Sequence, residues 1–543
     1  MQSSDFTRSA SSSGQTQEYR EIVDEQRDVR KRQRVTDTVH DVATTTLPHT
    51  LAASSSAASS TSLLSLYCDE ELDFDDWSPP EPAAAGKENV HDIRIAHPPT
   101  TRPPITESLI FNYLAQVSTL HDRQWKAINV QELPIFMSTT VQEVLTALHN
   151  KKDPHASHES FVAGLSMTVK LCGDEEKHQK LKRFFLQVVS SLYTSINALK
   201  IHREALYHYA PKHAVPDVDT AQSLLFAMPV LAVPPIVQEL ADLWAITLQS
   251  TKGMEGYLAP NLPNRIFEIT IPSIDHPITF FRMQSPEHPL GVIDPLFERF
   301  LESHESNDTS HLSLILLSPN IFDSEAEIAR QRFQLQMKYP SGLNAWRCEP
   351  DSDFVAQDCE FSKKEPFKNF ETTLRQHLLK ESPSFEVLEE IRDSKRFAEQ
   401  VDRAISFVKE LFFPHREILD EEEKQDFILM CVVLIHEGLC EELDPSTVDM
   451  ACRSHIDRGM MISTILYLYL MIKSGKTNDP IFLDYLKELT LAPALVVAQR
   501  PPHMDKMQRV LSLACRLLDP AVIKMIQSDQ TFFSGCQLSI PEE

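Results

Sequence analysis

Residues 452–458 read Cys-Arg-Ser-His-Ile-Asp-Arg, which places an arginine six positions after a cysteine. A thiolate can attack phosphorus, and backbone N–H groups of a tight loop can hold phosphoryl oxygens. An arginine can bind the same oxygens through two parallel hydrogen bonds. A loop of this length curls once around a phosphate group. The spacing therefore predicts a phosphate-binding loop with Cys452 as the nucleophile and Arg458 as the phosphate clamp.

Such a loop must open onto a helix, because the helix N-terminus binds a dianion and lowers the pKa of a nearby thiol. Residues 447–451 are predicted as the short approach strand, and Gly459 leads into the apolar run 460–472. This run is apolar nearly all round, which predicts a buried central helix. It is about 13 residues long, whereas a bilayer-spanning helix needs roughly 20. No transmembrane segment is therefore expected.

The loop resembles those of phosphoinositide phosphatases over about ten residues. It is similar to the Cys-Lys-Ser-x-Lys-Asp-Arg-Thr loop of inositol polyphosphate 4-phosphatases and of inositol phosphate phosphatases that bacteria secrete as effectors. It is also similar to the Cys-x-x-Cys-Leu-Asp-Arg-Thr loop of Sac-type phosphatases. The resemblance implies that Arg453 contacts a further phosphate and that Asp457 is a general acid inside the loop. It implies a phosphoinositide or inositol phosphate as substrate, hydrolysed through a phosphocysteine without a cofactor.

Three positions depart from those loops. His455 replaces a small residue and, as a cation, is expected to bind phosphate. Ile456 replaces a lysine, which weakens the expected recognition of multiply phosphorylated rings. Gly459 replaces Thr or Ser and lacks the hydroxyl that would aid breakdown of the phosphocysteine, so slow turnover is expected. Together with Arg453 and Ser454, His455 and Gly459 form the predicted substrate-binding set.

Two other classes of function compete with this hypothesis. The first is a non-enzymatic helical effector or scaffold that keeps a degenerate phosphatase loop only as structure. The second is a protein tyrosine phosphatase, which is disfavoured because no Trp-Pro-Asp acid loop is found. No metal site is predicted either, because no two cysteines form a close pair and Cys440 stands where a zinc-protease helix starting at His436 would need its second histidine.

Composition limits the partners. The 543 residues include 52 Lys or Arg and 78 Asp or Glu, giving a formal charge of −26. This charge repels nucleic acid and disfavours broad contact with anionic membranes, so a phosphorylated small molecule or lipid headgroup must be attracted by a local positive site. Nine scattered cysteines and an N-terminus without the apolar core of a signal peptide predict a cytoplasmic protein. The resemblance to secreted effectors adds release into a host cell without a classical signal peptide, and protein partners stay unknown.

The chain divides by composition into four regions. The first lacks the apolar clusters that would offset the entropy of ordering it. The regions are a disordered Ser/Pro-rich acidic tail at 1–105, a helical region at 106–258, a β-containing region at 259–350, and a helical region carrying the loop at 351–543.

The periodicity of apolar residues sets the fold class. Helical spacing dominates before the middle of the chain and after it, whereas 265–271, 277–283 and 311–318 are β-branched or apolar runs typical of strands. The predicted fold is α+β and mostly helical, with a small central sheet whose Cys-x5-Arg loop leads into a buried helix.

Overall fold

The computed structural model describes most of the chain after residue 153, together with residues 115, 116 and 146. The predicted disordered tail at 1–105 lies outside the described residues. Within 154–543 the undescribed residues are 173–177, 226–232, 255–261, 288–291, 319–323, 381, 383, 388 and 543.

In the part of the chain described from residue 154 onward, five helices precede the first strand, all within the region predicted to be helical. In α2, the apolar residues that repeat at helical spacing are buried, among them Leu181, Phe185 and Leu192. Helix α5 begins with a proline. Proline suits the first position of a helix, because an N–H group there would have no partner within the helix. The helices are α1 (Pro154–Cys172), α2 (Gln179–Thr194), α3 (Leu199–Tyr209), α4 (Val218–Leu225) and α5 (Pro235–Ser250).

One mixed sheet of seven strands lies at the centre of the described chain, in the order β5-β4-β3-β6-β2-β1-β7. The three strands predicted in the middle of the chain and the approach strand before the loop are confirmed as β1, β2, β3 and β6. The strands are β1 (Asn264–Thr270), β2 (Ile278–Arg282), β3 (His311–Ile315), β4 (Leu343–Cys348), β5 (Phe385–Val387), β6 (Thr447–Ala451) and β7 (Gln537–Ser539).

The sheet joins two of the regions that differ in composition. Region 259–350 supplies β1 to β4, and region 351–543 supplies β5 to β7. Strands β2, β6, β3 and β4 run parallel to one another, whereas β1 pairs antiparallel with β2 and β7 on one side and β5 pairs antiparallel with β4 on the other. The carboxyl ends of the four parallel strands therefore meet at one edge of the sheet. In parallel sheets this edge is the usual place for a ligand site.

Several of the remaining helices pack against the sheet. The mostly helical α+β fold is therefore confirmed, with one seven-stranded mixed sheet. The remaining helices are α6 (Pro295–Ser306), α7 (Ser324–Lys338), α8 (Asp353–Ala356), α9 (Phe367–Leu379), α10 (Glu389–Arg392), α11 (Lys395–Phe412), α12 (Glu421–Leu443), α13 (Arg458–Lys473), α14 (Pro480–Ala498), α15 (Met504–Leu517) and α16 (Pro520–Ser528).

The predicted buried helix after the loop is confirmed as α13. Every residue from Gly459 to Ile472 is buried, and α12, α14, α15 and α16 surround the helix. A helix apolar on all sides can be stable in water only when neighbours cover all of its faces. None of the helices in the described part of the chain is both long and apolar enough to cross a membrane.

Candidate active site

The loop 452–457 lies at the carboxyl edge of the parallel strands. Strand β6 ends at Ala451, between β3 and β2, and α13 begins at Arg458. Cys452 is therefore the first residue after a central parallel strand, just before a helix N-terminus. The order of strand, loop and helix agrees with the sequence prediction.

The sulfur of Cys452 is enclosed by backbone donors. The N–H of His455 donates to Cys452 Sγ at 3.1 Å, and the N–H of Gly459 donates to it at 3.3 Å. Burial raises the pKa of the Cys452 thiol, while the charge of Arg458 and these two N–H groups oppose the rise. The lowered thiol pKa expected from the helix terminus is therefore not found, because the loss of solvation outweighs the local donors.

Arg458 is bound by a carboxylate from another element. Both terminal nitrogens of its guanidinium contact Glu325 of α7, with 2.7 Å between Nη1 and Oε2, and its Nε lies 3.7 Å from Asp351 Oδ2. Burial lowers the pKa of Arg458, but the hydrogen bond to Glu325 and the charges of Cys452, Glu325 and Asp351 raise it above its usual range. Arg458 thus stays charged next to the thiol.

Asp457 is held as a carboxylate. Its oxygens accept hydrogen bonds from Arg500 at 3.0 and 2.7 Å and from the backbone N–H of His503 at 2.9 Å. Burial raises the pKa of Asp457, but the contacts with Arg500 and His503 outweigh it and lower that pKa. An ionised carboxylate has no proton to give, so these contacts disfavour the general-acid role that the resemblance implies for Asp457.

The side chain of His455 lies under the loop. Its φ of 52° is in the left-handed region, and its ring nitrogen Nε2 lies 3.1 Å from Ser463 Oγ on α13. Burial and the nearby charge of Arg282 lower the pKa of His455 to about 3. The expectation of a cationic His455 is therefore wrong, because its buried ring is neutral at physiological pH. What it turns toward the sulfur is its backbone N–H.

Gly459 lies where α13 closely approaches strand β6. A Cβ at this position would lie 2.7 Å from Met450 O and 2.7 Å from Cδ2 of the His455 ring. Contacts this short do not occur for ordinary Cβ atoms, so a larger residue needs a shift of the loop or the strand. The large residue at 455 and the small one at 459 therefore fit together.

The other loop residues contact neighbouring parts of the fold. The backbone oxygen of Arg453 accepts the N–H of Ser285 at 3.1 Å, and both Arg453 and Ser454 are partly buried. Ile456 is buried against Ala494 and Val497 of α14. An apolar side chain at 456 fits among these apolar residues, whereas a lysine there would place a charged group against them.

The chain matches no family model, no curated protein and no solved structure. The similarity to phosphoinositide phosphatases therefore depends on the loop residues alone. No group of three or more His, Cys, Asp or Glu side chains in the described residues is arranged to hold a metal ion.

Carboxylates near Arg458 were not found from the sequence. Glu325 is the second residue of α7, whereas Glu349 directly follows β4 and Asp351 lies two positions further on. The sequence signal of Glu349 and Asp351 is their position after a strand, which places them at the same edge of the sheet as Cys452. That signal requires the strand order, which the sequence alone did not provide.

A buried ionic network lies beneath the loop. Arg332 of α7 contacts Glu287 through two nitrogens, Ser313 Oγ at 2.6 Å and Asp449 at 3.5 Å. Asp449, on β6, also lies 3.0 Å from Nε2 of His311. Burial alone raises the pKa of Asp449, but the charge of Arg332 and the contact with His311 lower it below its usual range. The network fixes α7, and with it Glu325, against the strand that precedes Cys452.

Proposed function

We propose that the protein is a phosphatase that uses Cys452 as its nucleophile. The observation that carries this proposal is the Cys452 sulfur, which accepts hydrogen bonds from the N–H of His455 in the loop and of Gly459 in the first turn of α13, beside the charged Arg458. N–H donors directed at the sulfur stabilise the thiolate that must attack phosphorus. The helix N-terminus adds its partial positive charge to the same point.

A phosphoinositide or an inositol phosphate is the proposed substrate class. The resemblance of the loop supports it, and so does the contrast between a formal charge of −26 and the arginines at the loop. Arg453 lies in the loop, whereas Arg458 pairs with Glu325 and Arg500 pairs with Asp457. On a strongly acidic protein, a small group of arginines favours a compact polyanion over an extended one.

The reaction needs the thiolate of Cys452. Burial favours the neutral thiol, whereas Arg458 and the N–H groups of His455 and Gly459 favour the charged form. Phosphatase activity is therefore expected to rise with pH as the thiol ionises, with Arg458 supplying the main electrostatic support.

Phosphate release from phosphoinositide vesicles, soluble inositol phosphates and p-nitrophenyl phosphate tests the proposal. Cys452→Ser and Arg458→Lys should each lower the rate by several orders of magnitude, because they remove the nucleophile and the two-pronged clamp. The matched control is Cys431→Ser, a buried cysteine of α12, which should keep the rate near that of the wild type. Equal rates for the wild type and Cys452→Ser would contradict the proposal that the protein is a phosphatase.

A non-enzymatic effector or scaffold is the second candidate function. The observation that favours it is the pairing of Arg458 with Glu325, which satisfies the clamp from within the protein, together with the burial of the thiol. Orthovanadate binding separates the two functions, since this phosphate analogue needs the loop but not turnover. A scaffold is supported if neither orthovanadate binding nor phosphate release is detected and Cys452→Ser leaves both the fold and its melting temperature intact.

A further inference from the structure

We propose that Glu349 is the proton donor and acceptor of the phosphatase reaction, an inference that depends on the function proposed above. Glu349 is the first residue after β4, as Cys452 is the first residue after β6. Both strands are parallel to β3, which lies between them. The side chains of Glu349 and Cys452 therefore start from the same edge of the sheet, with β3 between their strands.

A chain of contacts connects Glu349 to the clamp. Its carboxyl group is hydrogen-bonded to the side chain of Ser318, which follows β3. The backbone N–H of Ser318 donates to Glu325 Oε2 at 3.2 Å, and the same oxygen accepts from Arg458 Nη1 at 2.7 Å. The charge of Arg458 also acts on Glu349 directly. Glu349 thus belongs to the group of side chains that surrounds the guanidinium.

The surroundings of Glu349 favour its protonated form. Burial raises the pKa of Glu349, and the negative charge of Asp351 adds to the rise, while Ser318, Arg347 and Arg458 oppose it. Asp457 differs, since its pKa is lowered by Arg500. When two carboxyl groups in one site have pKa values moved in opposite directions, the one with the raised pKa is suited to give a proton.

Glu349 acts in both steps of the reaction. In the first step the bond between Cys452 Sγ and phosphorus forms, the bond between phosphorus and the leaving oxygen breaks, and the Glu349 carboxyl gives its proton to that oxygen. In the second step water attacks phosphorus, Glu349 takes the proton of the water, and the sulfur leaves as a thiolate. Phosphate is released, and the thiolate and the protonated carboxyl are both restored.

The dependence of the rate on the leaving group tests this role. Glu349→Gln removes the proton but keeps the shape of the side chain. We expect it to lower turnover of an inositol phosphate, whose alkoxide leaves poorly, by about a hundredfold or more. The first step with p-nitrophenyl phosphate should slow much less, because its phenolate leaves without a proton. Single-turnover release of nitrophenol isolates that step from hydrolysis of the phosphocysteine.

The matched control is Glu399→Gln on α11, where the exposed carboxylate pairs with Lys395 at 3.2 Å. It should change neither rate by more than about twofold, as expected for a surface ion pair. Asp457→Asn tests the rival acid. If Asp457→Asn shows the leaving-group-dependent loss and Glu349→Gln does not, the assignment of Glu349 is overturned. A wild type inactive on both substrates overturns the proposed phosphatase and this assignment with it, whereas an active wild type unaffected by Glu349→Gln overturns only the assignment.

A second variant keeps the test independent of the stability of Glu349→Gln. Ser318→Ala removes a hydrogen bond that lowers the pKa of Glu349, so that pKa should rise further. The carboxyl group of Glu349 is a stronger acid than the Cys452 thiol, whose pKa burial raises, so the low-pH break of the pH–rate profile reports the ionisation of Glu349. This break should move to higher pH on the inositol phosphate, and a break that stays in place would contradict the role of Glu349.

Discussion

The loop depends on a match in size between two residues. The His455 ring fills the space beside Gly459 and contacts Ser463 through Nε2. A hydroxyl-bearing residue at 459 would have to occupy the volume that the ring and Met450 O already fill. The departure at 459 from phosphoinositide phosphatase loops is therefore a packing adjustment to His455, in addition to the loss of a donor.

Substituting Gly459 separates packing from hydrogen bonding. We expect Gly459→Thr and Gly459→Ala to lower the free energy of unfolding by about 1–3 kcal/mol each, because both add a Cβ where backbone and ring leave no room. Urea denaturation measures this change. If the missing donor limited turnover instead, Gly459→Thr would raise the steady-state rate and Gly459→Ala would not.

Helix α7 is the element that joins the clamp to the sheet. Glu325 and Arg332 lie seven residues apart on it, one contacting Arg458 and the other contacting Glu287 and Asp449. Two turns of helix separate such positions, so both side chains project from the same side. The position of Glu325, and hence that of the guanidinium it binds, follows from the buried network at Arg332.

Removing one member of this network should be costly. Arg332→Met leaves Glu287 and Asp449 buried without their main cation, which is expected to lower the free energy of unfolding by about 3–5 kcal/mol. The control is Arg330→Met on the same helix, whose exposed pair with Glu327 should contribute less than about 1 kcal/mol. Urea denaturation of both variants gives the comparison, and similar values for the two would show that the network does not stabilise α7.

At the scale of the whole molecule, burial keeps several histidines neutral. Burial is the main cause that lowers the pKa to about 3 for each of four described histidines, which lie in separate parts of the fold. They are His202, His304, His436 and His455. In the unfolded chain each of them takes up a proton near pH 6.5.

Acid should therefore destabilise the protein well above the pH at which carboxylates titrate. As the pH falls from about 6.5 to about 3, the unfolded state binds more protons than the folded state, so the free energy of unfolding falls with the pH. Between pH 7 and pH 5 each histidine contributes roughly 1–2 kcal/mol to this loss. Urea denaturation at the two pH values measures it. His202→Leu should reduce the difference, whereas His213→Gln at an exposed position should not, and a stability independent of pH would contradict the account.

The local features of the fold could be predicted from the sequence because they depend on neighbours along the chain. The period of apolar residues gave β1, β2, β3 and β6, and the apolar run 460–472 gave the buried helix. The loop followed from a short motif between a strand and a helix. Strand β5 and strand β7 have three residues each, too few for a periodic pattern, so only pairing with β4 and β1 defines them.

The surroundings of the loop were decided by the tertiary structure. Glu325 and Glu349 lie more than a hundred positions before Arg458, and only the order of the parallel strands brings them to it. The charge states of Cys452 and His455 depend on burial by α13, α14 and the sheet, which no local pattern contains. The sequence determines which residues form the loop. Their protonation depends on burial and on charges from other elements, and both arise only when the protein has folded.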